Sequence, residues 1–383
     1  MSIAETRGMI VRAIKQPLPW DVDAVLDEGA AAGANAVCIV STHFVYLEPG
    51  TIYVAPPPEE WDEPKRIFTE MGQDPGHPWN DTTDVERLFM IGYKAQKRGM
   101  EVVYCPQIDS RFADWRGFMG VRPTYRERRA WASAYKNNLL GPLLPVVKEL
   151  GAGLLVGKEM VQITKDLGAP FWEEVVRWVR YKGVRGWVSY GANWGWENDA
   201  EYNRLKHAGF YANADVDAVV VSGYWPMVHA SYTEAEDGEI TVDRLLSGEG
   251  NVGWWRRLGD EITGEPQLWC PTILDDLLDA HEDTGLPVEF GEIGYPNNIH
   301  AAHDPAGDIA DNSPPRYDVS GACWGAFRLQ TARVVSRYFT WDAGKGSVVA
   351  GRNNLIGTPL TRLVWGADPA GEIERLKALG VLE

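Results

Sequence analysis

Short apolar runs and amphipathic stretches take turns along this chain, and their order predicts its elements. Gly8–Ile14 (Gly-Met-Ile-Val-Arg-Ala-Ile) reads as a first strand. Asp21–Ala32 carries apolar positions at helical spacing, with Asp21 placed to cap the first helix. Asn35–Ser41 is a second strand, and a loop rich in proline and tryptophan (Pro56, Pro57, Pro58, Trp61, Trp79) leads to a helix from Thr83 to Arg98. Glu101–Gln107 is a third strand, followed by a helix-rich segment over Thr124–Leu150. Gly153–Glu159 and the helix Ala169–Tyr181 come next, then strands at Gly186–Tyr190 and Asp217–Tyr224. A long insertion with helical stretches at Val242–Leu246, Gly253–Ile262 and Ile273–Glu282 precedes a seventh strand, Leu286–Glu292. A helix near Ser320–Val335, an eighth strand at Tyr338–Asp342 and a last helix at Asp368–Leu379 complete the pattern.

Strands that are continuous apolar runs are buried on both faces, as in parallel sheets covered by helices. Eight such alternations predict an α/β fold, a (β/α)8 TIM barrel with long loops at its C-terminal face. No internal repeat or composition break divides it, so residues 1–383 are expected to form a single domain, with Asn297–Asp318 as a long loop. A doubly wound open sheet would want a glycine-rich phosphate turn after an early strand, and the sequence has none.

Composition narrows the partners more than the fold. A formal charge of −17 disfavours nucleic acid and anionic membrane surfaces, which call for basic patches. No apolar run approaches the roughly 20 residues of a membrane helix. The N-terminus lacks the apolar core of a Sec signal, which predicts a cytoplasmic or virion-associated protein. Of the four cysteines, Cys38 and Cys105 lie in strand-like runs and no CxxC occurs, so buried free thiols are expected rather than a disulfide frame.

Barrel active sites lie at the C-terminal ends of the strands. There the sequence places Lys15 and Trp20, His43 and Phe44, then Gln107, Asp109 and Arg111. Glu159 and Gln162 follow strand four, while Tyr190, Asn193 and Trp194 follow strand five. Tyr224 and Trp225, Glu292 and Tyr295, and Trp341 and Asp342 end the last three. Aromatic faces beside fixed amides and carboxylates suit a sugar ring, whose C–H face is apolar and whose rim is hydroxyl. The chain has 17 tryptophans, several at these strand ends. Glu159 and Glu292 form a pair that could protonate a glycosidic oxygen and attack the anomeric carbon. Strict alternation puts Glu159 with Leu155 and Gly157, and Glu292 with Phe290, on the barrel-facing side. Lys158 and Glu289 then take the other parity, Lys158 as a structural residue and Glu289 as a satisfied acid of the outer layer or rim.

Rival chemistries have weaker signals. The seven histidines show no HxH or HExxH spacing, and only His300, His303 and Asp304 could gather around a metal. There is no GxSxG elbow and no Walker motif. Nothing marks Lys15 or Lys158 as a Schiff-base amine of a barrel aldolase. No metal or organic cofactor is implied.

Four motifs, Val-Gly-Lys-Glu-Met (156–160), Val-Ser-Tyr-Gly-Ala-Asn-Trp (188–194), Ser-Gly-Tyr-Trp-Pro-Met (222–227) and Phe-Gly-Glu-Ile-Gly-Tyr-Pro (290–296), resemble strand-end motifs of clan-A retaining glycoside hydrolases. The sequence is most similar to the family 113 β-mannanases and to the TIM-barrel hydrolase-like domain of gene transfer agent and phage tail proteins. The resemblance spans strands four to eight; the first three agree in pattern only. It implies a carbohydrate substrate, with Glu159 as acid/base and Glu292 as nucleophile. Tyr190, Asn193, Trp194, Tyr224, Trp225, Tyr295, Trp341, His43 and Gln107 would then bind substrate. Two departures stand out: Lys158 occupies the place where many clan members have Asn, and the insertion after Trp225 lengthens the chain between the glutamates. A carbohydrate-binding barrel with weakened catalysis is the competing expectation.

Overall fold

The computed structural model describes residues 6–13, 21–45, 85–110, 116–118, 120, 124–193, 201–224, 227–228, 240–247, 273–295, 301–302, 315–331, 335–340, 355 and 357–383. Eight strands follow one another in chain order around a closed barrel. They are β1 (Thr6–Arg12), β2 (Ala36–Val45), β3 (Glu101–Ser110), β4 (Gly153–Lys158), β5 (Val188–Asn193), β6 (Val219–Ser222), β7 (Val288–Ile293) and β8 (Val335–Thr340). The described registers are all parallel, the (β/α)8 arrangement expected from the apolar runs.

The helices used below are α1 (Val22–Ala32), α2 (Val85–Lys97), α3 (Tyr125–Ala134), α4 (Gly141–Glu149), α5 (Val161–Leu167), α6 (Ala169–Tyr181), α7 (Glu201–His207) and α8 (Phe210–Asn213). They continue with α9 (Val242–Ser247), α10 (Ile273–Thr284), α11 (Tyr317–Thr331), α12 (Thr361–Trp365) and α13 (Pro369–Ala378). The proline- and tryptophan-rich stretch before α2, the expected helix Gly253–Ile262 and most of the loop Asn297–Asp318 lie outside the described residues. None of the described helices is long and apolar enough to cross a membrane.

Two compact units can be distinguished, Val11–Asp23 with Val37–Ser222, and Met1–Ile10 with Ala24–Ala36 and Gly223–Glu383. In the first, α6 turns one apolar face, Phe171, Trp172, Val175, Val176 and Val179, away from water. Trp172 is fully buried and meets Tyr135, Phe171 and Tyr190 in edge or tilted contacts. Gly168, at φ +75°, makes the break between α5 and α6 that a side chain would strain. The helix-rich segment Thr124–Leu150 contains a π-helical turn at Tyr135–Leu140, from which the Tyr135 hydroxyl reaches the Val156 carbonyl of β4 at 2.6 Å. Cys38 and Cys105 are buried and unbridged here, as Cys323 is in the other unit; Cys270 lies outside the described residues.

In the second unit α11 is buried along most of its length, with Trp324 and Phe327 packed on Tyr295, Phe290 and Tyr338. Arg328, 2% exposed, donates to the carbonyls of Leu363, Val364 and Gly366. It thereby satisfies the open C-terminal end of α12.

The strands shift from their expected bounds by one to four residues at an end, and at β5, β6 and β8 the reason is local. The fifth strand is Val188–Asn193 rather than Gly186–Tyr190. A side chain at Gly186 would meet the Ala152 carbonyl oxygen at 2.4 Å, and Gly186 serves as acceptor for Arg180. Asp217 does not begin the sixth strand; its carboxylate takes the Val188 N–H and the Arg180 guanidinium, clamping the start of β5. The eighth strand begins at Val335, because Arg337, polar in sequence, is accommodated by Glu289 of β7 at 3.6 Å.

Candidate active site

The end of β4 departs from regular alternation. Leu155 pairs with Ser189 but Lys158 with Gly191, so three steps on β4 match two on β5, a one-residue bulge. The position a Gly157 Cβ would occupy is 2.8–2.9 Å from the rings of Tyr190 and Trp172, which puts Gly157 against the helix layer. The barrel-facing parity expected for Gly157 is therefore reversed. Lys158 instead shares the opposite face with the neighbourhood of Cys38 and Cys105, 1% exposed. Burial lowers the pKa of its amine, while Glu159 and Cys105 favour its charge.

Glu159 follows directly, and among the described residues it alone combines a side chain with a positive φ, +53°. Its direction comes from this left-handed backbone, which costs on the order of 1–2 kcal/mol, not from strand alternation. Its N–H donates to the Gly191 carbonyl at 2.8 Å, and its carboxylate meets the Arg116 guanidinium at 3.0 Å. Both side chains are nearly buried. The next N–H, of Met160, donates to the Tyr190 hydroxyl at 3.0 Å.

The end of β7 repeats the device within the other unit. Phe290 pairs with Tyr338, but Ile293 pairs with Thr340, again three steps against two. Phe290 packs on Phe327 of α11 at 5.6 Å, so it faces the helices, and the barrel-facing parity expected for it is reversed. The bulge places Ile293 on Phe290's side of the strand and leaves Glu292 on the other. Glu292 is 9% exposed; its Oε1 accepts the Tyr224 hydroxyl at 2.7 Å, and its carbonyl accepts the Gly223 N–H at 2.8 Å. Glu289 is ion-paired with Arg337 at 3.6 Å and accepts the Ser336 hydroxyl at 3.4 Å, yet it opposes Phe290 across the strand and so lies inward rather than in the outer layer.

The other expected site residues divide. Tyr224 sits on Glu292. Asn193 ends β5, beside Ser222 of β6 in register, and its N–H is taken by Glu201 at 2.8 Å. Gln107 is buried near the end of β3, and among the described residues its amide nitrogen has no hydrogen-bond acceptor. Three others expected to bind substrate are buried in the structure. Tyr190 is fully buried between Trp172 and Phe210, and its hydroxyl serves Met160 and Glu201. Tyr295 is fully buried edge-on to Trp324, and its carbonyl takes the Ser320 hydroxyl. His43 lies inside β2, not after it, with its Nε2 3.0 Å from the Ser41 hydroxyl, and burial depresses its pKa to about 3. Trp194, Trp225 and Trp341 lie outside the described residues, as do Lys15, Trp20, Arg111, Asp342, His300, His303 and Asp304. Among the described residues no group of three or more His, Cys, Asp or Glu is arranged to hold a metal.

Two residues escaped the sequence reading. Arg116 belongs to a short 3-10 turn, Arg116–Phe118, where no periodicity singles it out. Glu201 reads as an ordinary acid in a helix's first turn, yet it is 1% exposed and accepts bonds from Thr164, Tyr190 and Asn193. Only its companions Tyr202 and Leu205, also buried, hint that this face of α7 turns inward.

No protein-family model and no curated protein matches the sequence. Solved structures do share its fold. A GH113 β-mannanase from Alicyclobacillus acidocaldarius, in complex with ManMIm, matches with a TM-score of 0.64 at 18% identity, over 97% of this chain and 98% of its own. A GH113 β-1,4-mannanase, solved as a complex, gives 0.61 at 15% identity over 97% and 100% of the two chains. A GH5-4 broad-specificity endoglucanase from an uncultured bacterium gives 0.51 at 12% identity over 96% and 94%. What is shared at these identities is the fold, a (β/α)8 barrel that accounts for nearly the whole chain.

Proposed function

We propose that this protein is a retaining glycoside hydrolase that cleaves a β-linked polysaccharide or oligosaccharide by double displacement. The observation that carries the reading is the matched construction of two strand ends. Each holds a glutamate at a one-residue bulge, Glu159 just past it and Glu292 within it, and each carboxylate has its own partner. The strand-end motifs of these segments resemble clan-A enzymes, and the fold is that of proteins described as β-mannanases and an endoglucanase, which supports the same class.

In this reading Glu292 attacks the anomeric carbon to give a covalent glycosyl-enzyme, oriented by the Tyr224 hydroxyl. Glu159 protonates the departing oxygen and then deprotonates the incoming water. Retention asks for carboxyl groups about 5–5.5 Å apart. Arg116 favours the ionised form of Glu159, which suits its second role; for the first, the proton on Glu159 must compete with that pairing. Asn193, Gln107 and Ser222, polar at the ends of their strands, are candidates for sugar hydroxyls.

The test is hydrolysis. β-1,4-Mannan, β-glucans and their aryl glycosides should release reducing sugar with the parent and none with Glu292→Gln. Proton NMR of the first-formed product should show the β-anomer. An α-anomer formed first, or an equally active Glu292→Gln protein, would sink the assignment. Lys158, standing where many clan members have Asn, favours a second reading, a phage-tail or cell-surface barrel that binds carbohydrate with weak or lost catalysis. Polysaccharide retention without any released sugar would select it.

A further inference from the structure

Glu201 stands at the start of α7 and is almost completely buried. One of its oxygens accepts the hydroxyls of Thr164, at 2.6 Å, and Tyr190; the other accepts the Asn193 N–H at 2.8 Å. Those donors pass the constraint on. The Tyr190 oxygen accepts the Met160 N–H at 3.0 Å, and the Thr164 oxygen accepts the Trp172 indole N–H at 2.9 Å. One carboxylate thus ties together the ends of β4 and β5 and the helices α5, α6 and α7. At the centre is the Glu159–Met160 turn, whose left-handed backbone persists only if its surroundings over-determine it.

We propose that Glu201 is a positioning residue which, through Tyr190 and the Met160 N–H, fixes the turn that carries Glu159 and so aims the acid/base carboxyl. The inference rests on the hydrolase reading for its consequence but not for its geometry. Desolvation, aided by the Glu159 charge and opposed by its three hydrogen bonds, raises the pKa of Glu201 to about 7. The titratable groups facing it are Tyr190 from β5, Glu159 from the end of β4 and Tyr211 from α8. Near neutrality the Glu201 carboxyl therefore changes charge. The proton it gains makes both carboxyl oxygens weaker acceptors, so the bonds from Tyr190 and Thr164 weaken and the Tyr190–Met160 link readjusts.

The experiment needs two readouts. In proton–nitrogen NMR of the intact protein, the Met160 amide and Trp172 indole signals should shift with a midpoint near pH 7, and Glu201→Gln should flatten both. A Met160 signal indifferent to Glu201 would overturn the positioning role without touching the hydrolase reading. Kinetics on 2,4-dinitrophenyl and phenyl β-mannobiosides and β-cellobiosides then measure the consequence. Glu201→Gln should lower kcat/KM for the phenyl glycosides by about tenfold or more, and for the dinitrophenyl ones by less than about threefold, because that leaving group departs without a proton. Tyr190→Phe, which removes the hydroxyl joining Glu201 to the Met160 N–H and keeps the Glu201 carboxyl, should give the same selective loss if Glu201→Gln fails to fold. Equal losses on both leaving groups would overturn the proposal, whereas a parent inactive on all four would overturn the hydrolase reading.

Discussion

The ends of β4 and β7 use the same backbone irregularity, and they hold their glutamates in opposite ways. At β7 the bulge alone suffices: Glu292 stays in the strand, leans on a neutral phenol and is secured by its own backbone carbonyl. At β4 the bulge turns Lys158 inward, and Glu159 lies one residue past the strand in a left-handed turn beside a guanidinium. The difference suits the two tasks proposed for these glutamates. A nucleophile keeps one charge state before attack and is best held rigidly by a hydrogen bond to its carboxylate. An acid/base changes charge during each turnover, and a turn at a strand's tip lets its surroundings, Arg116 on one side and the Glu201 network on the other, shift its proton balance.

The hardest blow to this comparison is to remove either carboxylate. Glu292→Gln should abolish turnover on every substrate, whereas Glu159→Gln should cost about 10²–10⁴-fold on unactivated glycosides and far less on dinitrophenyl ones. Parallel loss patterns in the two variants would mean that the strand ends do not differ in role. Trp172→Ala comes next. It empties the packing behind Gly157 and the Thr164 hydroxyl, and denaturant unfolding should register a loss of about 3–5 kcal/mol. Tyr224→Phe removes a hydrogen bond to a carboxylate and should lower kcat/KM by roughly 10–100-fold with little change in stability. Arg116→Met should move the alkaline limb of the kcat/KM profile upward, since loss of the guanidinium favours protonated Glu159. A limb that stays put would remove Arg116 from the comparison.

The smallest effect is on stability against pH. His43 is buried in its neutral form with a pKa near 3, against about 6.5 when unfolded. Its contribution is thus fully present above about pH 6.5 and is lost as pH falls from there toward 3. Urea unfolding at pH 7 and pH 5 should show the parent weakening more than His43→Gln. Glu201 has the opposite sign, its folded pKa of about 7 lying above the unfolded value, so its contribution is present at low pH and lost as pH rises through neutrality.

Much of this protein was legible along the chain because its cause is local. Apolar runs such as Asn-Ala-Val-Cys-Ile-Val and amphipathic ones such as Ala169–Tyr181 report burial directly, so strands, helices and their barrel order follow from pattern, and α6 agrees with its expected span end to end. Glu159 and Glu292 could be singled out because a charged residue terminating an apolar run is itself a local signal. Which way those residues point was not local. Alternation fails at both strand ends, since a bulge is a mismatch between two strands and neither strand carries it alone. Tyr190, expected among the substrate-binding residues, is packed as a brace, because its hydroxyl answers to Glu201, a helix away, and to the Met160 N–H on β4's far side. Arg116 and Glu201 were invisible for the same reason: a polar side chain acquires its role from what folding brings beside it, and only the tertiary structure decides that.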